Sequence, residues 1–303
     1  MIILRLRGGL GNQLFQYAAA RALAEHHGTP LKLDLYYYKK HPYRKFDLDK
    51  LNVPFEEATR AEVHAFTGSN PLQRFLNKRE NYWRCPRVFA QPHYHFFADW
   101  FRLPGELYLS GYFQSEKFFA PLADQVRTWY TPRVPLDPQS QDIVARMRES
   151  NSVGLHVRRG DYNMAQFNAF FRTVPLPYYQ QAVNHVQQTQ DKPQFFIFSD
   201  DVAWCREHLK IEGSPVFVDH NRGADSYRDL LLMAHARHNI IANSSFSWWG
   251  AWLNPHVSKQ VIAPRPWFGQ EYFMGKEPVY SSRYYNTDDL LPEGWLKIES
   301  VAS

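Results

Sequence analysis

Apolar residues recur at alternate positions in Ser152-Val153-Gly154-Leu155-His156-Val157, and the alternation stops at Arg158-Arg159-Gly160-Asp161. Period-two patterning predicts a strand over 152–158 with Val153, Leu155 and Val157 on one face. The polar cluster then falls at the strand's carboxyl end, where open α/β sheets take their ligands. Two adjacent guanidiniums suggest an anion site, because arginine's planar fork grips phosphate oxygens in pairs. A nucleotide diphosphate is the natural first candidate.

Downstream the period keeps switching: helix 177–189, strand 194–199, helix 202–210, strand 215–219, helix 225–236, strand 239–242, helix 245–253 and strand 260–264. Repeated βα units imply a parallel sheet with helices on both faces. Upstream, 2–6 reads as a strand, Gly8-Gly9-Leu10-Gly11 as a tight turn and 12–27 as a helix, a β-turn-α opening. Further strands are expected at 31–35 and 107–109, the second leading into a helix near 115–119. Between 36 and 100, proline, charge and aromatics crowd together without a period, and no element is assigned there. The stretch 133–138 resembles a linker and separates a first domain, 1–140, from a second, 150–290. Two α/β domains facing one another would form a cleft between the carboxyl ends of their strands.

With 303 residues, 44% hydrophobic and 21% charged, the chain has the composition of a soluble globular protein with room for two domains. A net charge of +5 and a pI near 9.0 fit an anionic ligand. The excess is spread along the chain rather than gathered in a basic arm, which argues against nucleic acid. Cys85 and Cys205 are the only cysteines and lie far apart, so neither a disulfide framework nor a thiolate zinc site is indicated. Met1 to Arg7 lacks the apolar run of a signal peptide, and nothing later approaches the ~18 apolar residues of a membrane span, so the cytoplasm is the expected compartment. Aromatic content is 16%, dense in Tyr36-Tyr37-Tyr38, Tyr82-Trp83 and 94–101; core packing or a membrane-surface contact accounts for it as well as sugar stacking does.

Gly8-Gly9-Leu10-Gly11-Asn12-Gln13 follows a strand and opens a helix, so its N–H groups are placed for an anion, yet it is neither GxGxxG nor a P-loop. A plain strand-helix turn explains it equally well. Asn243-Ser244-Ser245-Phe246-Ser247-Trp248-Trp249-Gly250 also follows a strand, offering either hydroxyls to a phosphate or a serine N-cap with Trp248, Trp249 and Trp252 in the core. Asp200 and Asp201 in Phe198-Ser199-Asp200-Asp201, like Asp47-Leu48-Asp49, bring no further ligands nearby, so no metal site is expected, and Asp201 reads as the N-cap of the next helix. Asp229 is a surface charge by default; pointing into the cleft, it would accept hydrogen bonds from a guanine edge.

Taken together, GGLGNQLFQYAAARA near the start, GYFQSEKFF at 111–119, HVRRGDY at 156–162, FSDD at 198–201 and NSSFSWWGAWLN at 243–254 resemble the α-1,2-fucosyltransferase family, and its bacterial members in particular. The resemblance implies a GT-B glycosyltransferase with two Rossmann-like domains. It also implies GDP-β-L-fucose as donor and inverting, metal-independent transfer to the 2-hydroxyl of a β-galactoside. Carried over by motif, Arg158 holds the pyrophosphate and Arg159 organises the site or makes a second contact. His156 and Asp229 address the guanine, while Ser244, Ser245 and Phe246 wrap the phosphates and sugar. Asn12, beside Gly11 in the GNQ turn, reaches the donor from the other domain.

Asp161, three residues from Arg158, is the candidate base; a structural aspartate paired with an arginine is the alternative. The acceptor is a galactose-terminated oligosaccharide or a lipid-linked glycan such as an O-antigen repeat. Lys39, Lys40, Arg44 and Lys45 would suit a peripheral contact with the membrane carrying it. The rival readings are another GDP-sugar transferase of the same architecture and a nucleotide-sugar-binding protein without catalysis.

Overall fold

The computed structural model describes residues 1–68, 87–160, 173–268 and 286–300. The chain divides into two compact units, Met1–Arg133 with Ser282–Pro292, and Val134–Ser281 with Glu293–Ser303.

In the first unit the order is β1 (Ile2–Arg5), α1 (Leu10–His26), β2 (Leu31–Asp34), α2 (Tyr36–Lys40), α3 (Arg60–Thr67), β3 (Val88–Ala90), β4 (Leu107–Ser110) and α4 (Ala123–Trp129). Its four strands are parallel, in the order β2-β1-β4-β3. Helix α1 begins at Leu10, two residues earlier than its pattern suggests, so Gly11 lies in its first turn rather than in the preceding loop. The turn itself is carried by Gly8, whose φ of +84° is open to glycine without strain. Two fully buried glutamines of α1 pin this corner. Gln16 accepts from the Arg7 N–H (2.9 Å) and donates to the Arg7 carbonyl (3.0 Å). Gln13 donates to the carbonyls of Gly8 (3.1 Å) and Lys45 (2.7 Å) and accepts from the Asp47 N–H (2.9 Å).

The second unit runs α5 (Pro138–Arg148), β5 (Asn151–Val157), α6 (Leu176–Thr189), β6 (Pro193–Ser199), α7 (Val202–His208), β7 (Val216–Val218), α8 (Tyr227–Met233), β8 (His238–Ile240), α9 (Ser245–Leu253), β9 (Val261–Arg265) and β10 (Leu296–Glu299). All six strands are parallel, in the order β10-β9-β8-β5-β6-β7. On one face of β5, Val153, Leu155 and Val157 pack with Ala182, Val183 and Val186 of α6. The other face is buried too, as a doubly covered parallel strand requires: Ser152 and His156 lie inside, and a Cβ on Gly154 would meet Asn239 Nδ2 at 3.1 Å and Ala236 Cβ at 3.3 Å. The alternation therefore marks two buried faces of different chemistry rather than an inside and an outside. Trp248, Trp249 and Trp252 are core residues packed ring against ring.

Several elements differ from their sequence expectations. The boundary between units falls after Arg133, at the start of the stretch that reads as linker, and helix α5, capped by Asp137, begins at its end in a segment given no element from the sequence. Residues 282–292 join the first unit rather than the second, and Asp289 ties them there by accepting from the Phe96 N–H (3.1 Å) and pairing with Lys117. The expected helix near 115–119 is a single 3₁₀ turn, Glu116–Phe118, begun by Ser115.

Candidate active site

Chain order reverses around β5: β6 and β7 continue on one side, whereas β8, β9 and β10 lie on the other. A crevice opens beyond the carboxyl ends of strands at such a switch point, here between β5 and β8. Leu155 pairs with Ile240, so the two strands release Arg158-Arg159-Gly160 and Asn243-Ser244-Ser245-Phe246 on neighbouring paths. The rings of His156 and Phe246, from opposite sides of that switch point, lie 5.8 Å apart.

The arginines are held by the two aspartates that follow β6. Asp200 pairs through Oδ2 with Arg158 Nη1 (3.0 Å), and it accepts from the backbone N–H groups of Arg159 (2.9 Å) and Gly160 (3.0 Å). A Cβ at position 160 would lie 2.6 Å from Asp200 Oδ2, so only glycine lets the carboxylate come this close. Asp201 caps α7 by accepting from the Trp204 N–H (3.1 Å), and its other oxygen stands 3.3 Å from Arg159 Nε. The Arg159 guanidinium lies 4.0 Å above the Trp204 ring, which fixes its plane by cation–π attraction. Both side chains remain partly open to solvent, so the cluster presents two oriented cations.

His156 is 5% exposed and its Nδ1 has no hydrogen-bond partner among the described residues. Burial drives its pKa down to about 4, with Asp200 opposing and Arg158 reinforcing the shift. At neutral pH the ring is therefore uncharged and offers one donor and one acceptor. Asp229, in the first turn of α8, departs from the surface default: burial pushes its pKa up to about 7, and the Asn221 amide bonded to it opposes that rise.

Ser244 caps α9, its Oγ accepting from the Phe246 N–H at 3.4 Å, while Ser245 and Phe246 form the first turn. Asn243 is buried and donates to the Trp267 carbonyl (3.1 Å), which leaves its glycosylation-like Asn-Ser-Ser pattern inaccessible. Tyr178 ties the neighbouring strand ends by donating to the carbonyls of Ile241 (2.7 Å) and Ile262 (3.2 Å).

The second unit thus gathers His156, Arg158, Arg159, Ser244, Ser245 and Phe246 at one sheet edge, with Asp229 on a helix that starts from that same edge. Gly11 and Asn12 belong to the first unit, where Asn12 Oδ1 accepts from Gln114 Nε2 at 2.7 Å. Asp161 lies outside the described residues. Sequence reasoning recognised Asp201 as a cap but missed Asp200 as the clamp on Arg158, and it missed Asn221 altogether. The only advance signal for the clamp was a second acidic residue at a strand end beside an arginine-rich one.

The sequence profile described as glycosyl transferase family 11 matches residues 91–285. The chain is 32% identical over 303 residues to an α-1,2-colitosyltransferase of Escherichia coli, with 99% of each chain covered. The chain belongs to glycosyl transferase family 11. This family 11 protein is also 29% identical to the O-antigen biosynthesis glycosyltransferase WbnK of Escherichia coli, over 87% of this chain and 93% of the other. A galactoside α-(1,2)-fucosyltransferase 1 of Plecturocebus brunneus is 27% identical over 81% of this chain and 63% of its own length. In fold, the protein is similar to the α-1,6-fucosyltransferase NodZ co-crystallised with GDP, with a TM-score of 0.51, 14% identity and coverage of 84% and 92%. The resemblance carried by the sequence motifs therefore holds at the level of the family. Among the described residues no helix is long and apolar enough to cross a membrane.

Proposed function

We propose that this family 11 glycosyltransferase moves L-fucose from GDP-β-L-fucose to the 2-hydroxyl of a terminal β-galactoside, forming an α-1,2 linkage with inversion. The observation that carries this reading is the pair of oriented guanidiniums, Arg158 and Arg159, held by Asp200 and Asp201 at the switch point of the second sheet. As the fucose C1–O bond breaks, negative charge builds on the diphosphate. Fixed cations and helix-start donors already aimed at that charge stabilise the leaving group without reorganising. The uncharged His156 ring and the Asp229 carboxylate read the guanine, and Ser244, Ser245 and Phe246 border the phosphates and sugar. Asp161 takes the proton of the acceptor hydroxyl as it attacks C1 from the face opposite GDP. The two parallel-sheet units serve as the halves of a GT-B enzyme, with the nucleotide on the second and the acceptor side on the first; Gly11 and Asn12 of the first unit are donor contacts on the family resemblance. For a lipid-linked glycan, Lys39, Lys40, Arg44 and Lys45 of the first unit suit an anionic headgroup region, Lys39 with part of its charge met by Glu57 at 2.9 Å.

A second reading draws on the full-length similarity to a colitosyltransferase. Colitose is L-fucose without its 3-hydroxyl, so the same phosphate and base contacts serve either donor. GDP-fucose and GDP-colitose, each offered with lactose and with a longer β-galactoside, separate the readings when released GDP and glycosylated product are quantified together and the linkage is determined. Transfer of fucose in an α-1,2 linkage supports the first reading, and colitose transfer alone replaces it with the second. GDP release without product, or nucleotide binding without either, overturns both.

A further inference from the structure

Asn221 lies in the loop between β7 and α8 and is only 7% exposed. Its Nδ2 donates to Asp229 Oδ1 at 2.8 Å. Because α8 starts from the loop that leaves the carboxyl end of β7, this pair sits at the same edge of the parallel sheet as Arg158 and Arg159. The loop is fastened on both flanks. Asp219 pairs with Arg206 (3.4 Å) and accepts from Arg222 Nε at its carbonyl (3.0 Å), while His220 Nε2 meets Ser140 Oγ at 3.0 Å. Arg228, the cation next to Asp229 in sequence, is engaged elsewhere, by Asp137 (3.1 Å) and Asp225 (3.3 Å).

Asp229 is consequently a mostly desolvated carboxylate with no ion pair among the described residues, and its side chain is oriented by one neutral amide. A cation in that place would satisfy the carboxylate and compete with a ligand. An amide N–H orients the group and leaves its charge and remaining lone pairs available. We infer that Asn221 is a positioning residue for base selection, holding the Asp229 carboxylate so that its free lone pairs meet the N1–H and 2-amino donors of a guanine. The inference rests on the reading of the second unit as a guanosine-diphosphate site. A carboxylate so fixed matches two adjacent donors and repels a base that presents an acceptor at the same position.

The test measures dissociation constants for GDP, IDP and ADP by calorimetry on the full chain. IDP keeps the N1–H and lacks the 2-amino group. Wild type is expected to prefer GDP over IDP by at least ~10-fold and to bind ADP more weakly still. Asn221→Ala should weaken GDP by ~10-fold and bring the GDP/IDP ratio close to one. Placed on Asp229→Asn, the same change should add less than about twofold, because the two residues act as a unit. Asn221→Asp keeps the side-chain shape, so it remains informative if the alanine variant does not fold, and it should lose the ratio as completely. An unchanged GDP/IDP ratio in either Asn221 variant overturns the inference, since a residue that only supports the loop would not alter base preference. Failure of the underlying reading has a different signature: wild type then binds GDP, IDP and ADP alike, or Asp229→Asn leaves GDP binding intact.

Discussion

At the residue scale, one carboxylate does three jobs. Asp200 neutralises part of Arg158, accepts from two backbone N–H groups and thereby sets the path of the chain from Arg158 to Gly160. Arg158→Ala should lower kcat/KM for the GDP-sugar by at least ~10²-fold, as expected for a preorganised donor to developing charge. Asp200→Asn, which retains shape but loses the charge, should cost ~10-fold through misplacement of the guanidinium. Steady-state rates for the two variants check this, and near-normal turnover of Arg158→Ala would remove it from the phosphate site. Asp201 was legible in the sequence because a cap bonds within its own helix turn. Asp200 was not, because its partners lie about forty residues away and no periodicity links them. The same holds for the buried glutamines Gln13 and Gln16, whose partners are set by tertiary folding.

His156 and Asp229 titrate in ways that oppose one another. His156 has a folded pKa of about 4 against an ordinary 6.5, so the unfolded chain binds more protons between those values and the histidine's contribution to stability is lost as pH falls through that window. Asp229 has a folded pKa of about 7 against an ordinary 3.8, so its contribution is present below the lower value and lost as pH rises to the upper one. Asp229→Asn removes only the second effect. Its stability relative to wild type, from urea unfolding, should therefore increase between about pH 4 and about pH 8. A difference that stays constant across that range would show that the carboxylate is not desolvated.

At the scale of elements, the strongest patterns were read most faithfully. The strand ending in the arginines, the helix after it and the βα alternation that follows appear within a few residues of their expected places, because long buried strands and amphipathic helices carry their period in the sequence. Shorter pieces left no such trace. Strand β3 has three residues and α2 five, so each spans too little chain to show a repeat, and both fall in the aromatic stretch where no period is visible. Strand β10 is a four-residue edge strand whose apolar face is only Leu296 and Ile298, the latter packed on the core of the second sheet, which is too little chain to stand out as a repeat. Where element meets element, tolerance is least. Gly160→Ala would put a methyl group 2.6 Å from the Asp200 carboxylate and force the clamp open. The expected result is a ~10-fold or greater loss of turnover with little change in melting temperature, because the position is exposed and the core is untouched. Unaltered kinetics would mean that the clamp is dispensable.

At the scale of the whole molecule, the described residues build two parallel sheets, each with its own helices, and residues 282–292 leave the second unit to complete the first before β10 returns to the second. Asp289 secures this detour through Phe96 and Lys117. Asp289→Ala should accelerate hydrogen exchange around Phe96 and Phe118 while protection of the second sheet stays as in wild type; a uniform change across both sheets would contradict the division. The α/β class and the parallel sheets were visible in advance, whereas the detour was not, since nothing local distinguishes a segment that docks on a distant partner from one that simply continues.

That detour also governs how the halves can be exchanged between relatives. A hybrid enzyme made by a single splice near Arg133 would join each body to a foreign version of its late-arriving strap, so a faithful swap needs matched junctions after Arg133, before Ser282 and after Pro292. On the ribosome, likewise, the body translated first must wait for the segment carrying Asp289, far downstream, before its final fastening can close.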